Sequence, residues 1–296
     1  MRVLLATDGS KGALTATEWL REFPLPPDTT LAILTVATLP SPPIVPETLR
    51  DLRDAVLADA RRIGDEALKL VVPRWPKAEI RVSEGDPREE IVRIAEEWGA
   101  DLVVVGARGL GAVKGFLLGS VSLAVVRHAP CSVLVVKGEP RRPRAVVLAL
   151  DGSENSMQAL EFLASLDPGK SLGVRLLGVV EKVRFPSSAP GRLRASLRAA
   201  LAEMEQERRS ELEALLGRAK AALETGVGTV EASVVAGPAA EEIIRVANSD
   251  GGDLVVVGAR GLGAVKRLLL GSVSERVLRD ARWPVLIVRR PREGAV

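Results

Sequence analysis

Residues that build covalent or metal-based sites are scarce in this sequence. The 296 residues include one cysteine, Cys131, and one histidine, His128. A single cysteine excludes an intramolecular disulfide and a cysteine zinc cluster. Because Cys131 leads directly into the apolar run SVLVV, we expect it to be a buried structural thiol.

Aromatic residues and excess charge are also lacking. Phe, Trp and Tyr make up 3% of the chain, and tyrosine is absent. The 41 basic and 38 acidic residues are mixed along the chain and leave a formal net charge of +3. Nucleic-acid binders usually combine a concentrated basic face with aromatic stacking platforms, so we expect no nucleic-acid partner. The cores must be packed mainly with Val, Leu, Ile and Ala, which suits helices over buried parallel strands.

Long hydrophobic runs are missing as well. No stretch approaches the roughly 20 apolar residues that a membrane-spanning helix needs. The opening MRVLLATDGS has an apolar run too short for the core of a signal peptide. We therefore expect no membrane partner and a cytoplasmic location.

What the chain does contain is an internal repeat. Residues 101–125 and 253–277 are identical at 21 of 25 aligned positions, and the openings VLLATDGS and VVLALDGS also match. Chance does not produce such similarity, and the chain is about twice the length of a common domain. The single histidine, His128, aligns with Asp280 in the second copy, which excludes a Ser-His-Asp triad in each copy.

The repeat also predicts where the two copies divide. A Gly/Pro/Arg stretch at residues 137–144 is expected to be an exposed linker, which gives domains at 1–139 and 143–292. The offset between the copies grows from 143 at the first match to 152 at the second. The second copy therefore carries about nine extra residues, which we place around residues 182–220. The Glu- and Arg-rich part of that segment is expected to be a solvated helix face, with a partner surface as the alternative.

Each copy alternates short Val-, Ile- and Leu-rich runs with helix-like segments in the order β-α-β-α-β-α-β-α-β. This alternation implies a parallel sheet with right-handed crossovers and helices on both faces. The predicted fold class is therefore α/β, with two tandem doubly wound domains of five strands each. The strands are predicted at 2–7, 31–37, 79–83, 102–106, 132–137, 145–150, 172–180, 230–235, 254–258 and 284–289, and the helices of the first copy at 10–22, 47–72, 87–98 and 119–128.

The segment after the fourth strand of each copy carries the strongest chemical signal. It reads G-x-x-G, nine residues, then G-S. Glycines let backbone N–H groups approach an anion closely, and the Gly-Ser pair is predicted to open a helix, whose free N–H groups and dipole favour negative charge. The loops therefore predict phosphate binding. Their key positions are Gly106, Gly109, Gly119 and Ser120 in the first copy, and Gly258, Gly261, Gly271 and Ser272 in the second.

Charged residues surround these loops. Asp8 and Asp151 directly follow the first strand of each copy and are expected across the crevice from the loops, since ligands of open α/β sheets lie at the carboxyl ends of the strands. Such a carboxylate can accept ribose hydroxyls or hold magnesium against phosphates. Arg108 and Arg260 within the loops either contact phosphate or are solvated loop cations. For the loop lysines, Lys114 and Lys266, solvation is favoured.

The glycine loop, the Asp-Gly-Ser turn after the first strand and the ending APCSVLVV resemble the ATP-binding branch of the universal stress proteins, over nearly the whole chain. The resemblance implies a sheet in the order 3-2-1-4-5 in each copy and ATP at the strand tips. It also implies that the last strands, around Ser132–Val136 and Val285–Val288, pair within one chain to form an intramolecular pseudo-dimer. A further homodimer stays open.

The same resemblance implies the residues that surround the nucleotide. The position of Thr7 is occupied by Leu150 in the second copy, so the two copies differ in a residue expected beside adenine. The implied residues of the first copy are Ala6, Thr7, Asp8 and Val36 beside adenine and ribose, with Val105, Gly106, Arg108, Gly109, Gly119, Ser120 and Val121 beside ribose and phosphates. Those of the second copy are Ala149, Leu150, Asp151, Val179, Val257, Gly258, Arg260, Gly261, Gly271, Ser272 and Val273.

Three functions fit these features. The first is a nucleotide-binding stress-response or regulatory protein in which ATP occupancy sets conformation or partner choice. The second is a slow magnesium-dependent ATP hydrolase or phosphotransferase, with Asp8 and Asp151 placing the metal. The third is a scaffold that works by protein contacts alone. The cradle has no evident pair of general base and nucleophile, which favours the first function and at most weak ATPase activity.

Overall fold

The computed structural model describes residues 1–39, 48–109, 118–166, 171–181, 191–249, 252–262 and 269–289, excepting the side chains of residues 48, 49 and 191–198. The first repeat consists of β1 (Arg2–Ala6), α1 (Lys11–Glu22), β2 (Thr30–Ala37), α2 (Thr48–Val71), β3 (Glu79–Glu84), α3 (Pro87–Trp98), β4 (Leu102–Gly106), α4 (Ser120–His128) and β5 (Ser132–Val136). The second consists of β6 (Ala145–Ala149), α5 (Glu154–Ser165), β7 (Gly173–Val180), α6 (Gly191–Leu223), β8 (Thr229–Ala236), α7 (Ala239–Ser249), β9 (Leu254–Gly258), α8 (Ser272–Asp280) and β10 (Val285–Val288).

The predicted elements are present, and each of their ends lies within one residue of the prediction. The nine extra residues of the second copy lie in one helix, because α6 has 33 residues and its counterpart α2 has 24. The long helix is not only a solvated face, since Leu212, Leu216, Ala219 and Leu223 are buried on one side of it. This corrects the simplest interpretation of its charged sequence.

The strands form one continuous sheet in the order β3-β2-β1-β4-β5-β10-β9-β6-β7-β8. Each half has the predicted order 3-2-1-4-5 and is parallel throughout. The halves meet where β5 and β10 run antiparallel, with Val133 opposite Ile287 and Val135 opposite Val285. The pairing of the last strands that the resemblance implied is therefore present, and it joins the two five-stranded halves into one sheet of ten and covers two edges.

Helices cover both faces of this sheet and divide the core into two layers. One layer contains α1, α2, α5 and α6, with the stacked rings of Trp19 and Phe23 fully buried in it. The other layer contains α3, α4, α7 and α8 and includes Cys131. Cys131 is 1% exposed and burial raises the pKa of its thiol to about 12, which confirms the expected buried thiol. Among the described residues no helix is both long and apolar enough to cross a membrane.

The Asp-Gly-Ser turn of each repeat starts the first helix. Ser10 caps α1 by accepting a hydrogen bond from the Ala13 N–H, and Ser153 caps α5 in the same way from Ser156. The intervening glycine has φ 74° in the first repeat and 83° in the second, a left-handed conformation that other residues rarely adopt. The turn thereby directs the chain from the tip of the strand into the helix.

Lys137, expected in an exposed linker, is buried instead. It directly follows β5, is 8% exposed, and its Nζ donates to the carbonyl of Ala281 at 2.8 Å and to that of Leu278. Burial lowers the pKa of Lys137 from 10.5 to about 8, and nearby Asp280 opposes that shift. The linker is therefore exposed at 138–142 and at Arg144, whereas Lys137 and Pro143 are buried.

This buried lysine predicts a pH dependence of stability. Between pH 8 and 10.5 the unfolded chain binds more protons at Lys137 than the folded chain does, so the contribution of this residue to the free energy of unfolding rises with pH. We expect the stability of the wild type relative to Lys137→Met to increase across that window. Denaturant unfolding of both proteins at about pH 7.5 and about pH 10 measures the change. A constant or falling difference contradicts the prediction.

Candidate functional site

A cavity lies at the carboxyl ends of the strands in each repeat. In the first repeat its volume is about 200 Å³ and in the second about 700 Å³. Every residue that the sequence predicts for each site lines the corresponding cavity. These are Ala6, Thr7, Asp8, Val36, Val105, Gly106, Arg108, Gly109, Gly119, Ser120 and Val121 in the first repeat, and Ala149, Leu150, Asp151, Val179, Val257, Gly258, Arg260, Gly261, Gly271, Ser272 and Val273 in the second.

The carboxylate of Asp151 connects the two loops that border the second cavity. One oxygen of Asp151 accepts the Ser153 N–H at 2.9 Å, and the other accepts the Leu262 N–H at 3.0 Å. Burial on its own raises the pKa of Asp151, but the hydrogen bonds from Ser153, Leu262 and Ser156 outweigh it and leave the pKa below its usual value. Asp8 accepts the Ser10 N–H at 3.0 Å in the same way. The carboxylate of the second repeat is thus held ionised across the crevice.

Two glycines of each loop are required by close packing. A Cβ at Gly106 would lie 2.6 Å from the backbone carbonyl carbon and oxygen of Gly12, and one at Gly258 would lie 2.8 Å from the backbone of the aligned residue Asn155. A Cβ at Gly109 would lie 2.3 Å from the Asp8 carboxylate. Since real Cβ atoms do not approach so closely, these glycines let the loop pass directly against the first helix and the aspartate.

The third glycine of each loop is the N-cap of the helix that follows the loop, α4 in the first repeat and α8 in the second. Gly119 precedes α4 and Gly271 precedes α8, and neither helix has a side-chain hydrogen bond at its N-cap within the described residues. By contrast, α1, α3 and α5 are capped by side-chain oxygens. The first residues of α4 and α8 line the cavities, and no capping side chain of the described residues covers their N–H groups, an arrangement suited to binding anions.

A serine one turn into each of these helices fixes the helix to the strand before the loop. The Ser122 hydroxyl donates to the Gly106 carbonyl at 2.7 Å, and the Ser274 hydroxyl donates to the Gly258 carbonyl at the same distance. Both serines are buried and line the cavities. Sequence analysis passed over them, although the repeated G-S-V-S contains the signal.

The second cavity has a wall that the first one lacks. Leu201, Met204, Glu205 and Arg208 of α6 line it, whereas no described residue of α2 lines the first cavity. The Arg208 guanidinium donates to the Asp151 carbonyl at 2.6 Å, and the repeat offset aligns Arg208 with Val56. These residues were missed because the change of offset shows only that this segment is longer in the second copy, and not that α6 lies over the cavity.

The two loop arginines differ in their environments. Arg108 is exposed and Arg260 is half-buried, and both backbone carbonyls accept a hydrogen bond from the serine of the neighbouring turn. Lys114 and Lys266 lie outside the described residues. Within the described part of the chain no group of three His, Cys, Asp or Glu side chains is placed to hold a metal ion.

Comparison with known proteins agrees with this architecture. The Universal stress protein family matches the chain twice, over residues 1–137 and 143–289. The chain belongs to this family. A universal stress protein of Mycobacterium tuberculosis is 32% identical over 310 residues, covering 97% of both chains, and a second one from that organism is 30% identical, covering 97% of this chain and 96% of its own. The crystal structure of a universal stress protein from Archaeoglobus fulgidus shares the fold, with a TM-score of 0.66 at 22% identity, covering 99% of this chain and 97% of that one.

Proposed function

We propose that this universal stress protein binds ATP, one molecule in each repeat, and acts as a nucleotide-dependent regulatory protein of the cytoplasmic stress response. The observation that carries the proposal is the pair of helices, α4 and α8, which begin at the cavities with no side-chain cap among the residues that the structure describes. Uncapped N-termini beside glycines that no larger residue can replace are suited to a phosphate chain.

The remaining cavity residues fit the rest of the nucleotide. Small and branched apolar side chains, Ala6 and Val36 in the first repeat and Ala149 and Val179 in the second, provide a surface for adenine. The N–H groups at the start of α4 and α8 are assigned to the phosphates, and Ser120 and Ser272 supply hydroxyls there. The aspartates are assigned to the ribose hydroxyls.

A magnesium-dependent ATP hydrolase is the second candidate, and the ionised Asp151 favours it. The low pKa of this carboxylate makes it a suitable oxygen ligand for magnesium beside the phosphates. Both of its oxygens already accept backbone N–H groups, however, so a metal would share them with the loops. We therefore rank nucleotide-controlled regulation above catalysis, with ATPase activity at most weak.

Calorimetric titration with ATP and with AMP, each with and without magnesium, tests the proposal. Wild type should bind two ATP per chain, Gly119→Val and Gly271→Val one each, and the double variant none. A valine at either cap adds a branched side chain directly before the helix N-terminus, with its Cβ 3.3 Å from the Ala107 carbonyl oxygen or 3.4 Å from that of Ala259, and so crowds the glycine loop that lines the cavity. The backbone at Gly119, with φ −77° and ψ 155°, accommodates valine, so the fold should persist.

Circular dichroism confirms folding of each variant, and Gly217→Ala, in an exposed part of α6 far from neighbouring atoms, is the matched control that should still bind two. Absence of binding to folded wild type refutes the ATP proposal. ATP turnover that disappears in Asp8→Ala with Asp151→Ala, while the fold is kept, would establish the hydrolase instead.

A further inference from the structure

Two basic residues reach from one repeat into the other. Lys137 follows β5 and Arg289 follows β10, and they occupy the same position in the repeat. The Lys137 Nζ donates to the carbonyls at the end of α8, those of Leu278 and of Ala281 at 2.8 Å. Arg289 donates to the aligned carbonyls at the end of α4, those of Val126 and of Ala129 at 2.8 Å. Each repeat thus supplies the cation that binds the C-terminal carbonyls of the helix at the cavity of the other repeat.

The contacts satisfy groups that a helix cannot satisfy alone. The last carbonyls of a helix lack N–H partners, and its C-terminal end carries partial negative charge. A cation at that end, buried in the case of Lys137 and half-buried in that of Arg289, therefore helps to fix the position of the helix. Both α4 and α8 have nine residues, so holding the far end also determines where the N-terminus meets the cavity.

Backbone hydrogen bonds continue from each cation to its own glycine loop. In the first repeat the Ala107 N–H donates to the Val136 carbonyl at 2.9 Å, next to Lys137, and the Gly119 N–H donates to the Ala107 carbonyl at 2.7 Å. In the second repeat Ala259 makes the matching pair of bonds, to the Val288 carbonyl and from Gly271. The two loops, two cations and two helices therefore form a closed ring.

From this ring we infer that Lys137 and Arg289 are positioning residues, each for the nucleotide site of the opposite repeat. Lys137 sets the N-terminus of α8 at the second site, and Arg289 sets that of α4 at the first. The inference rests on the proposed binding of ATP in both repeats. It adds that the ATP affinity of the site in one repeat depends on a residue that belongs to the other repeat.

Single-site proteins test the crossed dependence. Gly119→Val leaves only the second site for ATP, and Gly271→Val leaves only the first. Added to Gly119→Val, Lys137→Met should weaken ATP binding about 3- to 10-fold, and Arg289→Met should have little effect; in Gly271→Val the two should exchange roles. Lys137→Arg and Arg289→Lys, which keep the cation, should restore most of the affinity. Equal weakening of both sites by either variant, or no weakening, overturns the inference.

Hydrogen exchange without nucleotide separates this inference from the ATP proposal. Lys137→Met should accelerate exchange of the α8 amides and spare α4, and Arg289→Met should do the reverse. Arg279→Met, on the exposed side of α8, is the control and should change neither. If ATP fails to bind wild type but exchange shows the crossed pattern, only the proposed function is lost; if ATP binds and the pattern is absent, only the positioning role is lost.

Discussion

Alanine in place of Gly106 is expected to lower the free energy of unfolding by about 2–3 kcal/mol. The new Cβ would lie 2.6 Å from the Gly12 carbonyl carbon and oxygen and 2.9 Å from the Ala13 nitrogen. These are backbone atoms of α1, which cannot turn away as a flexible side chain can, so strand and helix must separate. Gly258→Ala should cost a similar amount, because its Cβ would meet the backbone of Asn155 and Ser156 at 2.8 Å.

Two other glycines serve as matched controls for this effect. Gly217→Ala, in the exposed interior of α6 with no atom within 4 Å of its Cβ, should raise stability by about 0.5–1 kcal/mol. Gly119→Ala should cost less than Gly106→Ala, because its Cβ would lie 3.3 Å from the Ala107 carbonyl oxygen, a tight contact that a shift of a few tenths of an ångström relieves. Urea denaturation of the four variants measures the differences. If Gly106→Ala is as stable as Gly119→Ala, the packing argument for the loop glycines is wrong.

The second site is expected to bind ATP at least tenfold more tightly than the first, a difference of about 1.4 kcal/mol. Its cavity of about 700 Å³ lies within the range of roughly 300–1,000 Å³ typical of preformed ligand sites, whereas the first, about 200 Å³, lies below it. The first site must therefore open before it admits a nucleotide, and that rearrangement reduces the measured affinity. Residues of α6, including Leu201 and Arg208, add contacts at the second site that no described residue of α2 provides at the first.

Titration of the two single-site proteins measures the ratio directly. Gly119→Val reports the second site and Gly271→Val the first, at one ionic strength and one magnesium concentration. Arg208→Val introduces the residue type found at the aligned position, Val56, and should reduce the ratio. Equal affinities, or tighter binding at the first site, would show that the difference in cavity volume does not govern nucleotide binding.

Local sequence patterns were sufficient to predict the elements, and together with the family resemblance they identified many of the residues that line both cavities. Buried parallel strands such as β4 consist of an uninterrupted Val-rich run, and the spacing from Gly106 to Gly119 is the same in the second repeat. The insertion was placed around residues 182–220, and α6, at Gly191–Leu223, covers most of that segment. Each of these features is contained in a short stretch of chain or in the repeat itself.

The features that were missed depend on contacts between distant residues. Lys137 was interpreted as part of a linker because the residues that follow it include Gly, Pro and Arg. The carbonyls that accept its hydrogen bonds lie more than 140 residues away in the sequence. Arg208 resembled other charges on a solvated helix, and only the tertiary placement of α6 brings it to the Asp151 carbonyl. No local periodicity distinguishes such residues from exposed ones.

Because β5 and β10 pair within one chain, the two repeats do not need to have the same sequence at their interface. When two separate identical subunits associate about a two-fold axis, every substitution appears on both sides of the interface. Their assembly also depends on protein concentration. Here the partner is tethered, so unmatched substitutions can accumulate on one side only. The Arg127–Glu275 ion pair, at 2.7 Å, is an example: its symmetry-related positions hold Arg279 and Leu123, which cannot form a second one. A tandem chain of this kind can evolve two specialised halves while keeping a single continuous sheet.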